Sequence, residues 1–484
     1  MKCARVLVVI AAFALLLLGS RALAQQAPEP EKPKSLKAEV DRLHREGRLN
    51  EAIALAERML SNQERALGPD NPGVVDAINK LALLYLTVDD YETAEALFER
   101  VLEITTNTLG SGDSAIATTL NNLGMLYWEW GDRERAAQYL EKAISIWERT
   151  LAPDHPKIAI ALNNMASLYR ETGDFERAEP LYEKALAIWE KSSSPIHGQF
   201  SDTLRSLAMI RQVNRDSKSA ESFLKRALAL SEKAWGADHT ETAVALSNLA
   251  LFYHDSRDYA RAKPLLERVL TIVESAHGPD HPDVVSASIN LALVHIAMGE
   301  PASAARLYER VLEIRSRTQG SDSIAVAKSL EDLASLYREQ GEYARSLPLY
   351  ERALRIRVKT LGPEDLGIVN TTNILGMVHW ALGDFASAQP LFERALSVRK
   401  KNRDPEHPSV AKLVDNLASV HLVRGDHARA KSLYEEALAI RESAFEPEHP
   451  KVAHSLRNLG LLHWAKADWD QAEIYFARAA EVEE

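Results

Sequence analysis

Histidine and carboxylate are the residue types in this chain best suited to chemistry: it carries 15 His, 69 Asp or Glu and one Cys. Convergent imidazoles and carboxylates bind metal ions, and paired carboxylates do general acid–base work. Six histidines (His155, His197, His239, His281, His407 and His449) recur in one column at multiples of 42 residues. That spacing puts them on successive layers, roughly 10 Å apart at helix-packing distances, too far for two to share a zinc ion. The Asp-His-Pro setting reads instead as a helix start, with Pro in the first turn and polar groups capping it. His295, His379, His421 and His463 form a second column and read as packing residues; even if His421 and His463 approach each other, two residues are not a site. The single Cys3 excludes a disulfide scaffold and a cysteine-built zinc site. No phosphate-binding glycine loop, nucleophile elbow or HExxH run occurs. The expectation is a protein without catalytic residues, metal or cofactor.

The elements that would position these residues follow from one period. Acidic residues stand at Asp90, Asp132, Asp174, Asp216, Asp258, Glu300, Glu342, Asp384, Asp426 and Asp468, every interval being 42 residues. Nine residues before each acid is Leu or, once, Met165, followed always by Ala or Gly; five before is Tyr or His, except at Arg211. Four after is Ala, or once Ser346. Leu123, Gly124 and Tyr127 share one side of a helix, and Ala136, Leu140 and Ala143 one side of the next. Each unit is thus a helix hairpin with a glycine turn and an acidic N-cap, and it buries its apolar faces only by stacking. Glycine (21) and proline (20) are both scarce for 484 residues, which favours helix. The predicted fold class is all-α, a right-handed α-α superhelix of about eleven hairpins or 22 helices: a degenerate pair over 36–72, then ten 42-residue repeats over 73–484. Pro180, Pro264, Pro348 and Pro390 fall inside second helices and should bend them slightly.

Residues 1–24 read as a secretory signal peptide, with Lys2 and Arg5 before an apolar run from Val6 to Leu18 and a cleavage site between Ala24 and Gln25. The alternative is an uncleaved anchor, although 13 apolar residues are short for a membrane span. Residues 25–35 (QQAPEPEKPKS) form a Pro-rich linker. The expected location is secreted or periplasmic, with no membrane span after cleavage. The net charge of -11 argues against nucleic acid as the main partner.

The columns of small residue, Tyr, turn Gly and Ala resemble the tetratricopeptide repeat, above all the 42-residue variety of kinesin light chains and nephrocystin-like proteins. Leu162 to Glu190 (LNNMASLYRETGDFERAEPLYEKALAIWE) is similar to that repeat nearly throughout, and Leu151 to Pro156 and His277 to Pro282 resemble its connecting loop. The sequence departs from the pattern in the first pair, at Ser192 to Gly198, and at Arg211 and Arg215. The resemblance implies a protein- or peptide-binding scaffold whose concave groove is lined by the column ten before the acid: Asn122, Asn164, Asn248, Asn290, Asn416 and Asn458, with Asn121 and Asn163 beside it. An amide both donates and accepts, so such a ladder can pair with a peptide backbone; equally, the amides can tie adjacent helices together. Arg170 and Arg338 resemble the family's groove arginines, suited to an acidic peptide. Trp128, Trp380 and Trp464 are of a type enriched at binding hot spots, but a Trp at a helix end also covers the neighbouring layer. A second possibility is an envelope-organising element that forms a homo-oligomer through Trp469, Ile474 and Phe476 at the C-terminal end.

Overall fold

Leucine and a small residue side by side, with an aromatic one turn later, give each helix one apolar stripe and one point of close approach. The computed structural model describes residues 36–110, 112–192, 197–402 and 407–482. The signal-peptide and linker expectations for 1–35, including Ala24 and Gln25, lie outside the described residues. Among the described residues there are 22 α-helices and no strand. They pair as hairpins, from Leu36–Arg45 with Leu49–Leu67 through to Pro450–Ala465 with Trp469–Glu481. Short 3-10 turns, Pro72–Val74 and Leu366–Ile368, lead into two of the first helices. The chain divides into two compact units, Met1–Ile272 and Val273–Glu484. In each, successive hairpins stack, and the expected all-α fold class is the observed one. No helix among the described residues is long and apolar enough to cross a membrane.

The repeat columns become the core. The Leu column is buried in each of the ten 42-residue repeats except at half-buried Met165, and the Ala column after the acid is buried throughout, with Ser346 filling its one gap. In the second unit a single cluster runs from Ala334 through Phe392 and Leu417 to Leu462. The small residue sets how near the two helices come: a Cβ on Gly376 would lie 2.7 Å from Phe392 Cε1, and one on Gly124 2.7 Å from Leu140 Cγ. Glycine therefore pairs with a large partner at these sites, and alanine serves where the opposing side chain leaves room.

Hydrogen bonds at the turns explain why the hairpins keep their length. Asp90, Asp132, Asp174, Asp216, Asp258, Asp384 and Asp426 each accept the backbone N–H three residues on. Glu300, Glu342 and Asp468 make no such side-chain cap. First helices start differently. His155, His239, His281, His407 and His449 each accept, through Nδ1, the N–H two residues on, at 3.1–3.2 Å. The imidazole is itself the cap, and Pro follows it in four of the five. Second helices run unbroken through Pro180, Pro348 and Pro390.

Candidate functional site

The column five before each acid ties most first helices to a neighbouring carboxylate. Tyrosine there reaches a glutamate on the preceding second helix: Tyr85 donates to Glu57 at 2.7 Å, Tyr253 to Glu221 at 2.9 Å and Tyr337 to Glu309 at 3.2 Å. The hydrogen bond to Glu57, with burial, pushes the Tyr85 phenol up to about 12. An arginine from the following helix covers several of these rings, with Arg261 4.2 Å from Tyr253 and Arg345 3.9 Å from Tyr337. Histidine solves the same position locally. His295, His379, His421 and His463 each place Nδ1 on the acid five residues ahead, at 2.6–3.2 Å. Arg211, the sequence exception, reaches Glu179 and Glu183 at 2.9 and 2.8 Å, the acceptor positions that tyrosine uses elsewhere. The column is a set of structural ties.

A second set of ties lies between layers. Glu331 accepts a bidentate pair from Arg357 (2.7 and 2.9 Å) and a hydroxyl from Thr371. Asp415 accepts from Arg441 at 2.5 Å, and Arg441 also donates to Ser455. Both triads use a first helix, its own second helix, and the next first helix, at offsets of 26 and 40 residues. Asn163 and Thr203, 40 residues apart, exchange hydrogen bonds of 2.7 and 3.0 Å at the equivalent place.

Against that background the asparagines separate into two groups. Asn121 (9% exposed) and Asn163 (5% exposed) are buried between layers. Asn164 donates to Asn121 at 3.0 Å, and Asn416 donates to buried Asn373 at 2.7 Å, each spanning two layers. Asn248 turns to its own helix, at the Val244 carbonyl, and Asn458 faces His454 at 3.4 Å. Half-buried Asn122 and Asn290 have no side-chain partner among the described residues. In the first unit Trp128 donates to Glu171 of the next layer at 2.7 Å, and Arg170 reaches Ser206 at 3.3 Å. Arg338 contacts Ser335 and Glu339, both at 3.4 Å. These contacts leave Trp380 and Trp464 as the exposed members of the expected groove set.

The column seven before the acid, which faces away from the Leu–Tyr stripe, carries part of the exposed apolar surface of both units, Leu83 and Met209 being 41% and 37% exposed in the first. Leu293, Met377 and Leu461 are 43%, 37% and 52% exposed, and Trp380 and Trp464 beside them 42% and 58%. Ser335 and Ser419 occupy the layers between. The signal was present as large apolar residues every 84 positions on a face turned from the core stripe. At the last hairpin, Trp464, Trp469, Ala472 and Phe476 line a shallow cleft of about 420 Å³.

Stacked hairpins with a repeating cap, a Leu–Ala seam and an open first-helix face define a helical repeat protein. A tetratricopeptide repeat model matches residues 42–107, 76–147, 115–191, 241–317, 324–401 and 405–483, so the chain belongs to the tetratricopeptide repeat family. The longest unmatched stretch between matches, residues 192–240, contains Arg211 and Arg215. Solved structures similar to it include a kinesin light chain of Podosopora anserina with nearly identical TPR-like repeats, 25% identical over 43% of this chain and 98% of that one, TM-score 0.38. BtubC (BKLC) of P. vanneervenii is 22% identical over 59% and 93%, TM-score 0.32. Apo RapI is 15% identical over 76% and 97%, TM-score 0.49. A search of curated proteins finds no match.

Proposed function

We propose that the chain is a non-catalytic, exported scaffold that binds a peptide or protein partner on the first-helix face of its second unit. The reading is carried by the exposed ladder of Leu293, Met377 and Leu461, flanked by Trp380 and Trp464. Large apolar side chains held in line on rigid helices favour binding, since their rotamer freedom is already reduced and Trp contributes strongly when a partner covers it. The ladder also dictates the form of the ligand. Alternate layers are about 20 Å apart at helix-packing distances. An extended chain advances about 3.3 Å per residue, so it would present an apolar side chain about every six residues. Export rests on residues 1–24 of the sequence.

The test is selection of peptides from a random displayed library on the parent protein and on a Met377→Ser, Leu461→Ser variant. Serine already stands in this column at Ser335 and Ser419, so the variant keeps the stack. Peptides with apolar residues about six apart, weakened about tenfold or more on the variant, are the expected result. Peptides that bind parent and variant equally, or no enrichment on the parent, would overturn the reading.

A further inference from the structure

The loop between residues 277 and 283 differs from its counterparts in the residues placed around the capping histidine. At the other four capping histidines the residue four before is Leu151, Trp235, Arg403 or Phe445, and the residue two after Lys157, Glu241, Ser409 or Lys451. Here the two positions are His277 and Asp283. The rings of His277 and His281 stack with centroids 4.3 Å apart, at an interplanar angle of 23°. Asp283 Oδ2 lies 3.6 Å from His277 Nε2 and 3.3 Å from His281 Nδ1. One donor atom from each of the three falls within 4.8 Å of the others.

We propose that His277, His281 and Asp283 form a zinc-binding site. Zinc–ligand bonds of about 2.0–2.1 Å in a tetrahedron put neighbouring donors about 3.3–3.4 Å apart. The two carboxylate–imidazole separations are already close to that edge; zinc binding requires the two imidazoles to turn out of their stack, so that their in-plane lone pairs converge on one ion. Two imidazoles and a carboxylate are a ligand set suited to Zn²⁺ among the divalent ions, with water in the fourth position. Partial exposure of all three residues leaves an entry path. The site has a built-in opponent. His281 Nδ1 accepts the Asp283 N–H at 3.2 Å, and a metal on that nitrogen takes the lone pair and releases the helix cap. Pro282 has no N–H, so one donor near the site is released rather than two. Spacing along the histidine column conceals this arrangement, because the second imidazole comes from within the same loop.

Phe445 and His449 show that the fold does not need a histidine at the first position: they stack at 4.3 Å and 25° without metal-binding potential. That pair supplies the variant. The full chain, free of any histidine tag, is titrated calorimetrically with ZnCl₂ beside His277→Phe and Asp283→Asn proteins, with melting curves recorded for all three. The expected result is one saturable site in the parent, weakened by about tenfold or more in each variant. Addition of Co²⁺ to the parent should give the intense visible absorption of a four-coordinate site. Absence of saturable zinc uptake by the parent, or uptake by the two variants as tight as the parent's, would overturn the proposal.

Discussion

Arg441 and Asp415 are 6% and 5% exposed, and each is the other's principal partner. Removing one partner of such a pair strands the other charge away from water. Asp415→Ala should therefore lower stability by about 3–5 kcal/mol, whereas replacing both residues by apolar ones of similar volume should be nearly neutral. Chemical denaturation of the single and double variants distinguishes a paired charge from an ordinary surface bridge, whose loss amounts to about 0–1 kcal/mol. By sequence the column eleven before the acid points away from the Leu–Tyr stripe with the groove amides, yet Asn121, Asn163 and Asp415 in it are buried between layers. A position at the margin of a helix's apolar stripe is turned inward or outward by the next layer, and no local pattern records that neighbour. The same limit explains why Asn164 and Asn416, with the sequence signature of groove amides, use their donors between layers. It also explains why His277 escaped notice beside the periodic histidines.

At the level of the hairpin, the fold was largely legible because its determinants are local. The leucine stripe, the small residue and the aspartate cap each act within one or two turns, and their 42-residue recurrence repeats the same instruction. The turns themselves differ in quality. Gly131, Gly173, Gly299, Gly341, Gly383 and Gly425 take positive φ, but Asp89, Arg215, Arg257 and Ala467 are held at 58–62° without glycine's freedom. Alanine gains nothing there from side-chain hydrogen bonding and pays about 1 kcal/mol in steric strain. Ala467→Gly should stabilise the last hairpin by about 0.5–1 kcal/mol after the entropy added to the unfolded chain. A raised unfolding midpoint in urea is the measurement, and an unchanged or lowered one would show that the turn carries no strain. What local reading missed here was substitution of function: Arg211 makes the tyrosine's contact by another route, and an imidazole replaces the usual hydroxyl or carboxylate cap.

For the molecule as a whole, hairpins of equal length and nearly equal cores face a problem of identity, since any unit presents a plausible seam to any other. The buried triads bear on it. Glu331–Arg357–Thr371 and Asp415–Arg441–Ser455 occupy the same place in different layers, and Asn373, with Arg399 26 residues on, stands in the layer between. Removing residues 332–373 would set Glu331 opposite Arg399, opposite in charge. Removing 374–415 would set Asn373 opposite Arg441 and leave that guanidinium with no carboxylate. Both deletions take out 42 residues and preserve every column, so a purely apolar seam would tolerate them alike. The expected outcome is a higher melting temperature for the first deletion than for the second; equal values would mean that the triads do not discriminate. If they do, they act as addresses. Repeats copied or lost by recombination at this period would be filtered by whether their buried charges still meet, which lets an array change length only in particular steps.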